Sequence, residues 1–433
     1  MARSKAQSGR PRKDDSTPMQ PRAGGEFVWV GSNMDTTMSR PSRPITQLIF
    51  SKTPLQAALL RIMLEEKTFI SRFIIGPSFI ETELSRLFVS LTRCPDLLLA
   101  AFLACSGRFS LLVDAHQTTA THRLEDDYMH SARAVKELRG IGDGSRRNED
   151  LAQALLLGLG VLTFDLFDSG LHAHSICRYT LSLIYGTGVP SGLHLELSEG
   201  LIPLVFMDTC NCLVRRKVPI SRSTPHREPA GADRYIGLCV PLLAYMYDLC
   251  VVSHALTGTV DITNHEAAQK LQALGAAIAD WYPILSPELT KAFTRDELQV
   301  MGMQATIFRT AALLVAHRIQ WAFGSAADDL AFDMAETILA KIISLHPPGT
   351  TADVPPFEYR LNLPFLVAAV ELRDMGRRNE ALSLLRRVVC ERMYPRVGEG
   401  LRQFLQFVWW ARDSAWHGHW FDLAAQGPQF VLF

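Results

Sequence analysis

The spacing of apolar residues constrains the fold of this chain most, because they recur at helical spacing along most of its length. Residues 55–64 show this pattern directly after Thr53 and Pro54, a capping residue and a proline at the first helical position. Strand signals are weak: β-branched runs are short, and the Asp143-Gly144 pair lies in a charged loop. The pattern predicts an all-α fold, an irregular bundle or solenoid of roughly a dozen or more helices in helical hairpins.

Three further segments have the spacing of a capping box, in which a Ser or Thr precedes a Glu by three residues. They are Ser78–Glu81, Thr263–Glu266 and Thr294–Glu297. Each stands before a run of apolar residues at helical spacing, so each predicts the start of a helix.

Residues 1–50 differ from the rest of the chain and predict a disordered basic arm. Residues 1–44 carry eight Lys or Arg side chains against four acidic ones, among many Pro, Ser and Gly residues. Within this arm, residues 9–13 (Gly9, Arg10, Pro11, Arg12, Lys13) resemble the core of an AT-hook. Glycine permits close backbone approach, proline keeps the arm extended, and arginines are attracted to a narrow A·T minor groove. A nuclear import signal and a solvated tail are the alternatives, and any DNA binding should be weak or indirect.

Composition limits the remaining function classes. The formal net charge is zero, which argues against a helical body whose surface is basic enough to bind nucleic acid.

The eight cysteines begin at Cys94 and mostly lie in apolar stretches, which predicts reduced core thiols in an intracellular protein. Cys210 and Cys212 lack the second pair that zinc would require, so we expect no metal and no cofactor. Residues 1–25 lack a signal-peptide core and uninterrupted apolar runs are short, so we expect a soluble protein without membrane contact.

Residues 214–234 form the main internal break. They contain three prolines and no apolar periodicity, together with a concentration of basic residues: Arg215, Arg216, Lys217, Arg222 and Arg227. The segment predicts either a boundary between two helical halves or a long surface loop within a single domain of residues 51–433.

One constellation places carboxylates and imidazoles close together in sequence. Asp165, Asp168 and His172 can share a helix face, and His174 follows. A metal site would need a further ligand from elsewhere, so capping and core-edge roles are the preferred interpretation.

A second constellation is the best argument for an enzyme. Asp328, Asp329 and Asp333 form a DDxxxD pattern, which on an all-α chain is similar to the Mg²⁺-diphosphate motif of terpene cyclases. The pattern lies late in the chain and no second metal motif follows it. Asp328 and Asp329 also suit the first turn of a helix capped near Ser325, where acidic residues complement the helix dipole. We therefore predict that the protein is not an enzyme.

Several helical segments resemble the fungal-specific transcription factor domain, the regulatory body that normally follows a zinc cluster of six cysteines. The resemblance covers roughly residues 50–433. It is carried by residues 152–182, by 311–321, and best by Trp410-Ala411-Arg412-Asp413 with Trp420. The family has diffuse helical patterning and no catalytic signature, so the resemblance speaks to fold class.

The resemblance implies a nuclear transcriptional regulator whose partners are DNA, other transcription factors or a second copy of the chain. Members often control metabolic or secondary-metabolite gene clusters, and a regulator of trichothecene-type toxin genes in this family also lacks the zinc cluster. A helical enzyme and a scaffold without nuclear role are the alternatives.

The aromatic residues near the end of the chain also recur at helical spacing. Trp409, Trp416 and Trp420 are interpreted as core residues or as a dimer seam.

Overall fold

The predicted all-α fold is confirmed by the computed structural model of the chain. The structure describes residues 53–113, 124–142, 148–186, 195–222, 231–259, 264–346 and 357–433. Within these ranges it contains seventeen α-helices, and the strand-like pairing there is an isolated bridge between Asp233 and Gly237. All of the described residues belong to one compact unit that begins at Pro44.

The helices follow one another with short connections, and a 3₁₀ turn at Pro77–Phe79 and a π-helical turn at Ala255–Thr259 lie between them. In chain order the α-helices are α1 Pro54–Glu65, α2 Lys67–Ile70, α3 Ile80–Arg93, α4 Pro95–Val113, α5 Leu124–Gly142, α6 Asn148–Asp168, α7 Ala173–Tyr185, α8 Leu195–Val214, α9 Val240–His254, α10 Asn264–Asp280, α11 Pro287–Ala292, α12 Arg295–Gln320, α13 Asp328–Leu345, α14 Asn362–Ala369, α15 Met375–Val388, α16 Pro395–Asp413 and α17 Trp420–Leu423.

Two of the predicted helix starts are confirmed at atomic detail. The Thr53 hydroxyl accepts the Gln56 N–H at 3.3 Å, and the Gln56 side chain accepts the Thr53 N–H in return. Thr294 and Glu297 form the same reciprocal pair at the start of α12. These boxes satisfy N–H groups that a helix start otherwise leaves unbonded. The box predicted at Thr263 lies outside the described residues.

The capping box predicted at Ser78 was wrong. Helix α3 begins at Ile80 without a side-chain cap. Ser78 donates its N–H and its hydroxyl to the carboxylate of Glu297, at 2.8 and 2.7 Å. Because Glu297 also closes the box with Thr294, one buried carboxylate joins the start of α12 to Ser78, which precedes α3 and lies 219 residues from Glu297 in sequence.

Most helices pack against their neighbours in sequence, as expected for helical hairpins. Helix α4 packs on α5 and α6, α6 on α7, α7 on α8, and α12 on α13. The two glycines of α6 allow the close approach of its neighbours. A side chain at Gly160 would meet Ala101 of α4 at 2.9 Å, and one at Gly158 would meet Thr180 of α7 at 2.3 Å. The helix-propensity cost of glycine is therefore offset by tight packing.

The terminal aromatic residues divide between core and surface. Trp409 and Trp420 are 5% and 1% exposed, and the Trp409 indole N–H donates to the Ala369 carbonyl at 3.0 Å. Trp416 is half-buried and packs edge-on against Phe323. Trp410, the next residue along α16 after Trp409, faces solvent and is 64% exposed. The core interpretation therefore holds for Trp409 and Trp420.

The last four residues of the chain are buried, which fixes the end of the chain against the helical body. Asn211 of α8 donates its side-chain amide to the Leu432 carbonyl at 2.6 Å and accepts the Leu432 N–H at 3.1 Å. Phe433 packs on Tyr394 with ring centroids 4.6 Å apart. A single asparagine thus satisfies both backbone groups of a buried residue, as a neighbouring strand would.

A buried charge network joins further distant segments. Arg360 donates to the Glu358 carboxylate at 2.6 Å and also to the Arg72 carbonyl, and its guanidinium lies 4.3 Å from the ring centroid of Tyr235. Both Arg360 and Glu358 are less than a tenth exposed. Pairing of this kind is what allows charged groups to be buried among apolar helices.

Four described helical segments are long and apolar enough to cross a membrane, judged by length and composition alone: α4, residues 151–168 of α6, α9 with the following turn, and α12. The expectation of no membrane contact was based on the shorter uninterrupted runs inside α4 and α6. In the structure, between 44% and 61% of the most apolar 18-residue stretch of each segment is buried inside the helical body.

The predicted break at residues 214–234 follows the end of α8. Arg216 there adopts a left-handed conformation (φ 52°), and the Lys217 N–H donates to the Cys212 carbonyl at 2.9 Å, which ends the helix. Residues 223–230 lie outside the described part, while α8 and α9 on either side pack against each other. Whether residues 214–234 separate two halves stays a prediction.

We expect Glu297→Ala to destabilise the protein by about 2–4 kcal/mol, because it removes a cap and leaves the Ser78 N–H without its partner. Burial raises the pKa of Glu297, but the hydrogen bonds from Ser78 and Thr294 outweigh it and hold that pKa below the ordinary 4.5. The loss of unfolding free energy in Glu297→Ala should therefore be largest above pH 4.5, where the wild-type carboxylate is ionised, and should shrink as the pH falls below 4.5.

Urea denaturation of the wild type, Glu297→Ala, Ser78→Ala and Thr294→Ala at several pH values tests this. Thr294→Ala alone should cost about 1 kcal/mol. If Glu297→Ala costs no more than Thr294→Ala, the contact with Ser78 contributes nothing.

Candidate functional site

The sequence-predicted DNA-binding residues, Gly9 to Lys13, lie outside the described residues. Their role stays a prediction.

The Asp165 constellation does not converge on one point. Asp165 accepts the His172 N–H at 3.0 Å and the Ser169 hydroxyl at 2.9 Å, which holds the turn between α6 and α7. Asp168 points elsewhere, to Arg108 at 3.2 Å and to the Tyr128 hydroxyl at 2.8 Å. Burial is the main reason that the pKa of Asp165 is raised. The capping and core-edge interpretation is confirmed.

His174, the remaining member, belongs to a different cluster that sequence reasoning missed. Its centre is Asp208, a wholly buried carboxylate on α8. Asp208 accepts the Ile220 N–H at 2.7 Å through one oxygen, and through the other it contacts His174 Nε2 at 3.0 Å and Arg178 Nη1 at 3.1 Å. We call Asp208, His174, Arg178 and Cys212 the Asp208 cluster. A lone carboxylate in the apolar run 201–214 was the signal that could have revealed it.

Protonation in the Asp208 cluster follows from burial and pairing. Burial raises the pKa of Asp208, but the hydrogen bonds from His174 and Ile220 and the charge of Arg178 outweigh it, so that pKa lies below its ordinary value. Burial lowers the pKa of His174, which keeps the imidazole neutral at pH 7. Burial, with the nearby Asp208 charge, raises the pKa of Cys212 to about 12, so the thiol stays protonated.

The Asp208 cluster has the donor types of a metal site but already contains a guanidinium. Candidate ligand atoms of His174, Asp208 and Cys212 lie within 4.8 Å of one another. Arg178 Nη1 lies 3.1 Å from the Asp208 oxygen and 3.0 Å from the Cys212 sulfur. The guanidinium thus supplies the positive charge that a cation would bring, and it does so to a protonated thiol, which is a poor metal ligand.

His174 also lines a surface cleft of about 440 Å³. The walls come from four stretches of the chain, within 169–175, 215–217, 396–397 and 424–431. Three cationic side chains, Arg215, Lys217 and Arg396, line it, and none of its described lining residues is Asp or Glu. We call this the basic cleft.

The DDxxxD carboxylates do not converge either. Asp328 is turned inward, where it binds Arg318 Nη1 at 2.7 Å and accepts the Gly324 N–H at 3.0 Å. Asp329 is 94% exposed and Asp333 is exposed one turn later. Asp328 and Asp329 do stand in the first turn of α13, as predicted, but the helix has no side-chain cap from Ser325 or any other residue.

Arg318 explains why Asp328 is engaged. Its guanidinium is 2% exposed and also binds the Glu371 carboxylate through two hydrogen bonds of 2.8 and 2.6 Å. Asp328 therefore helps to neutralise a buried arginine, which leaves the motif one carboxylate short for a diphosphate-bound metal.

Comparison with known proteins adds one finding. The model of the fungal specific transcription factor domain matches residues 51–433. Searches of curated proteins and of solved structures found no match.

We expect the purified full-length protein to contain no stoichiometric zinc, because the Arg178 guanidinium already lies beside Asp208 and Cys212 and the Cys212 thiol stays protonated. Elemental analysis and melting with and without a chelator measure this. About one zinc ion per chain, together with a lower melting temperature after chelation, would contradict it.

Asp328→Asn and Asp329→Asn form a matched pair for the DDxxxD pattern. Asp328→Asn should cost about 2–4 kcal/mol, since it leaves the buried Arg318 with one counter-charge fewer. Asp329→Asn should cost at most about 1 kcal/mol, because it alters an exposed dipole interaction and an exposed ion pair with Arg373 at 3.7 Å. Denaturant unfolding gives both values. An assay for diphosphate release from a prenyl diphosphate with Mg²⁺ should find none for the wild type, and turnover that Asp329→Asn abolishes would establish the enzyme alternative.

Proposed function

Since the chain belongs to the fungal-specific transcription factor domain family, whose members are transcriptional regulators, we propose that it acts in the nucleus on a fungal secondary-metabolite gene cluster, mainly through protein contacts. The observation that carries the proposal is the extent of the match, residues 51–433, which includes every described helix. Residues 51–433 are accordingly proposed as one regulatory domain behind a basic arm.

The cysteines are not arranged as a zinc cluster, which supports contact with DNA by another route. All eight are free, seven of them are buried, and the first is Cys94. Burial raises the pKa of thiols such as Cys177 and Cys250 well above the ordinary value, which opposes the thiolate form that zinc binds. The buried thiols thus support the proposal that DNA contact is made by the arm or by a partner protein.

Exposed apolar side chains support action through protein contacts. Tyr282, Ile284 and Leu285, between α10 and α11, are 64%, 67% and 54% exposed. Trp410 on α16 is also exposed and stacks on Phe407, with ring centroids 6.2 Å apart. Aromatic and aliphatic side chains of this size are the usual anchors of protein interfaces.

Chromatin occupancy of the tagged full-length protein separates the regulator from a scaffold without nuclear role. We expect occupancy near genes of a biosynthetic cluster, with reporter expression lost on deletion of the gene. Occupancy that survives removal of residues 1–44 would assign recruitment to a partner protein. A protein that never enters the nucleus would overturn the proposal.

For the arm, we expect Arg10→Ala with Arg12→Ala to weaken binding to A·T-rich duplex DNA. Two lost phosphate-neutralising charges should reduce the slope of log K against log salt by about 2. Fluorescence anisotropy at several salt concentrations measures the slope, and the melting temperature should not change.

The matched control is Arg40→Ala with Arg43→Ala, which removes the same charge from the same arm outside the hook-like core. Equal losses for the two double variants would mean that charge alone matters. Unchanged binding in Arg10→Ala with Arg12→Ala would show that the hook interpretation is wrong.

A further inference from the structure

We propose that the basic cleft binds a small organic polyanion, a compound with at least two carboxylate or phosphate groups on a short carbon skeleton. Binding is a property of the cleft alone. Its role as an effector site rests on the proposed function.

The exposed cations of the cleft are not paired with other side chains of the described chain. Lys217 and Arg396 are exposed, and within the described part of the chain neither forms an ion pair or a side-chain hydrogen bond. Elsewhere in the described body, arginines are commonly paired with carboxylates, as Arg318 is with Glu371 and Arg378 with Asp413. Unpaired cations that share one concave surface concentrate positive potential there, which favours an anion.

Arg215 gives the cleft a fixed cation. Its Nη1 donates to the Asn211 side-chain oxygen at 2.8 Å, its Nη2 donates to the Phe430 carbonyl, and its guanidinium lies 4.7 Å from the Phe430 ring centroid. All of these partners are neutral. Burial lowers the pKa of Arg215, and among the described residues no carboxylate offsets its charge. A planar guanidinium held in this way is suited to a carboxylate or phosphate oxygen.

One helix start adds to the positive potential. Arg396 and Val397 belong to the first turn of α16 and line the cleft, and this helix has no side-chain cap. The N–H groups of such a first turn attract anions, which reinforces the side-chain charges. The start of α7 does not contribute in this way, because the Asp165 carboxylate already accepts the His172 N–H there.

The size and the remaining walls define the class of ligand. The volume of about 440 Å³ falls in the range of small-molecule sites and exceeds that of a lone inorganic anion. Val397, Val431 and Ala424 provide apolar surface beside the cations. A molecule with carbon between its charged groups would use both kinds of wall.

Ligand binding would join parts of the chain that are far apart in sequence. Lys217 follows α8, Arg396 begins α16, and Phe430 belongs to the C-terminal segment that Asn211 and Arg215 hold. An anion that bridges these cations would stabilise the docked C-terminal segment, and this is how occupancy would be transmitted to the body of the regulator.

Thermal melting of the full-length protein tests the proposal with citrate, inorganic phosphate and the uncharged triethyl citrate, at constant ionic strength set with sodium chloride. We expect citrate to raise the melting temperature in a saturable manner, phosphate to do so more weakly, and triethyl citrate not at all. Saturation by phosphate alone would point to a phosphate ester as the ligand. No saturable shift with citrate or phosphate beyond that of chloride would overturn the proposal.

The variant Lys217→Gln with Arg396→Gln should reduce citrate affinity by about ten-fold or more, since each lost charge removes a charge-assisted contact. The matched control is Lys291→Gln with Arg61→Gln, which removes one lysine and one arginine charge from exposed positions outside the cleft. Equal losses in the two double variants would overturn the proposal. Because the positions are exposed, the fold should survive, and the melting temperature without ligand checks this. Binding is measured on purified protein, so its failure is distinguishable from failure to occupy chromatin.

Discussion

Burial of charge inside an apolar helical body is the constraint on which the rest of this structure depends. A helix satisfies most of its backbone hydrogen bonds within itself. A buried arginine side chain cannot do this, and it needs carboxylates or carbonyl oxygens from other parts of the chain. Arg360 does so by contacting Glu358, the Arg72 carbonyl and the Tyr235 ring. Arg318 does so with Glu371 and Asp328. Each arrangement exists only when several distant segments are folded together, so each specifies how the helices dock.

The same principle sets the roles of residues that could be mistaken for catalytic groups. Asp208 is surrounded by donors from α7 and from the loop after α8, and Asp328 neutralises an interior arginine. In both cases the carboxylate is engaged in hydrogen bonds and ion pairs that stabilise the fold. The basic cleft differs because its cations, Arg215, Lys217 and Arg396, have no carboxylate partners within the described part of the chain.

The C-terminal segment connects these two kinds of site. Asn211 and Arg215 lie one turn apart on or just after α8, and both bind the backbone of the last residues. Asn211 holds the segment in the core, while Arg215 stands where the segment forms a wall of the basic cleft. A ligand in the cleft and the packing of the chain end are therefore physically linked. This link gives a regulatory body a route between a small molecule and its helices.

The sequence by itself determined the helical class, the starts at Thr53 and Thr294, and the placement of Asp328 in a first turn, because these depend on residues within one helical turn of each other. It also carried the family resemblance, which spans residues 51–433. Only the tertiary structure decided the partner of Ser78, since the competing acceptor Glu297 lies 219 residues away. It likewise decided the Asp208 cluster and the basic cleft, whose residues come from separate helices and loops. Residues close in sequence specify where helices begin, because their contacts lie within one helical turn. The partners of buried charges are determined only when the helices pack together, because those partners come from distant parts of the chain.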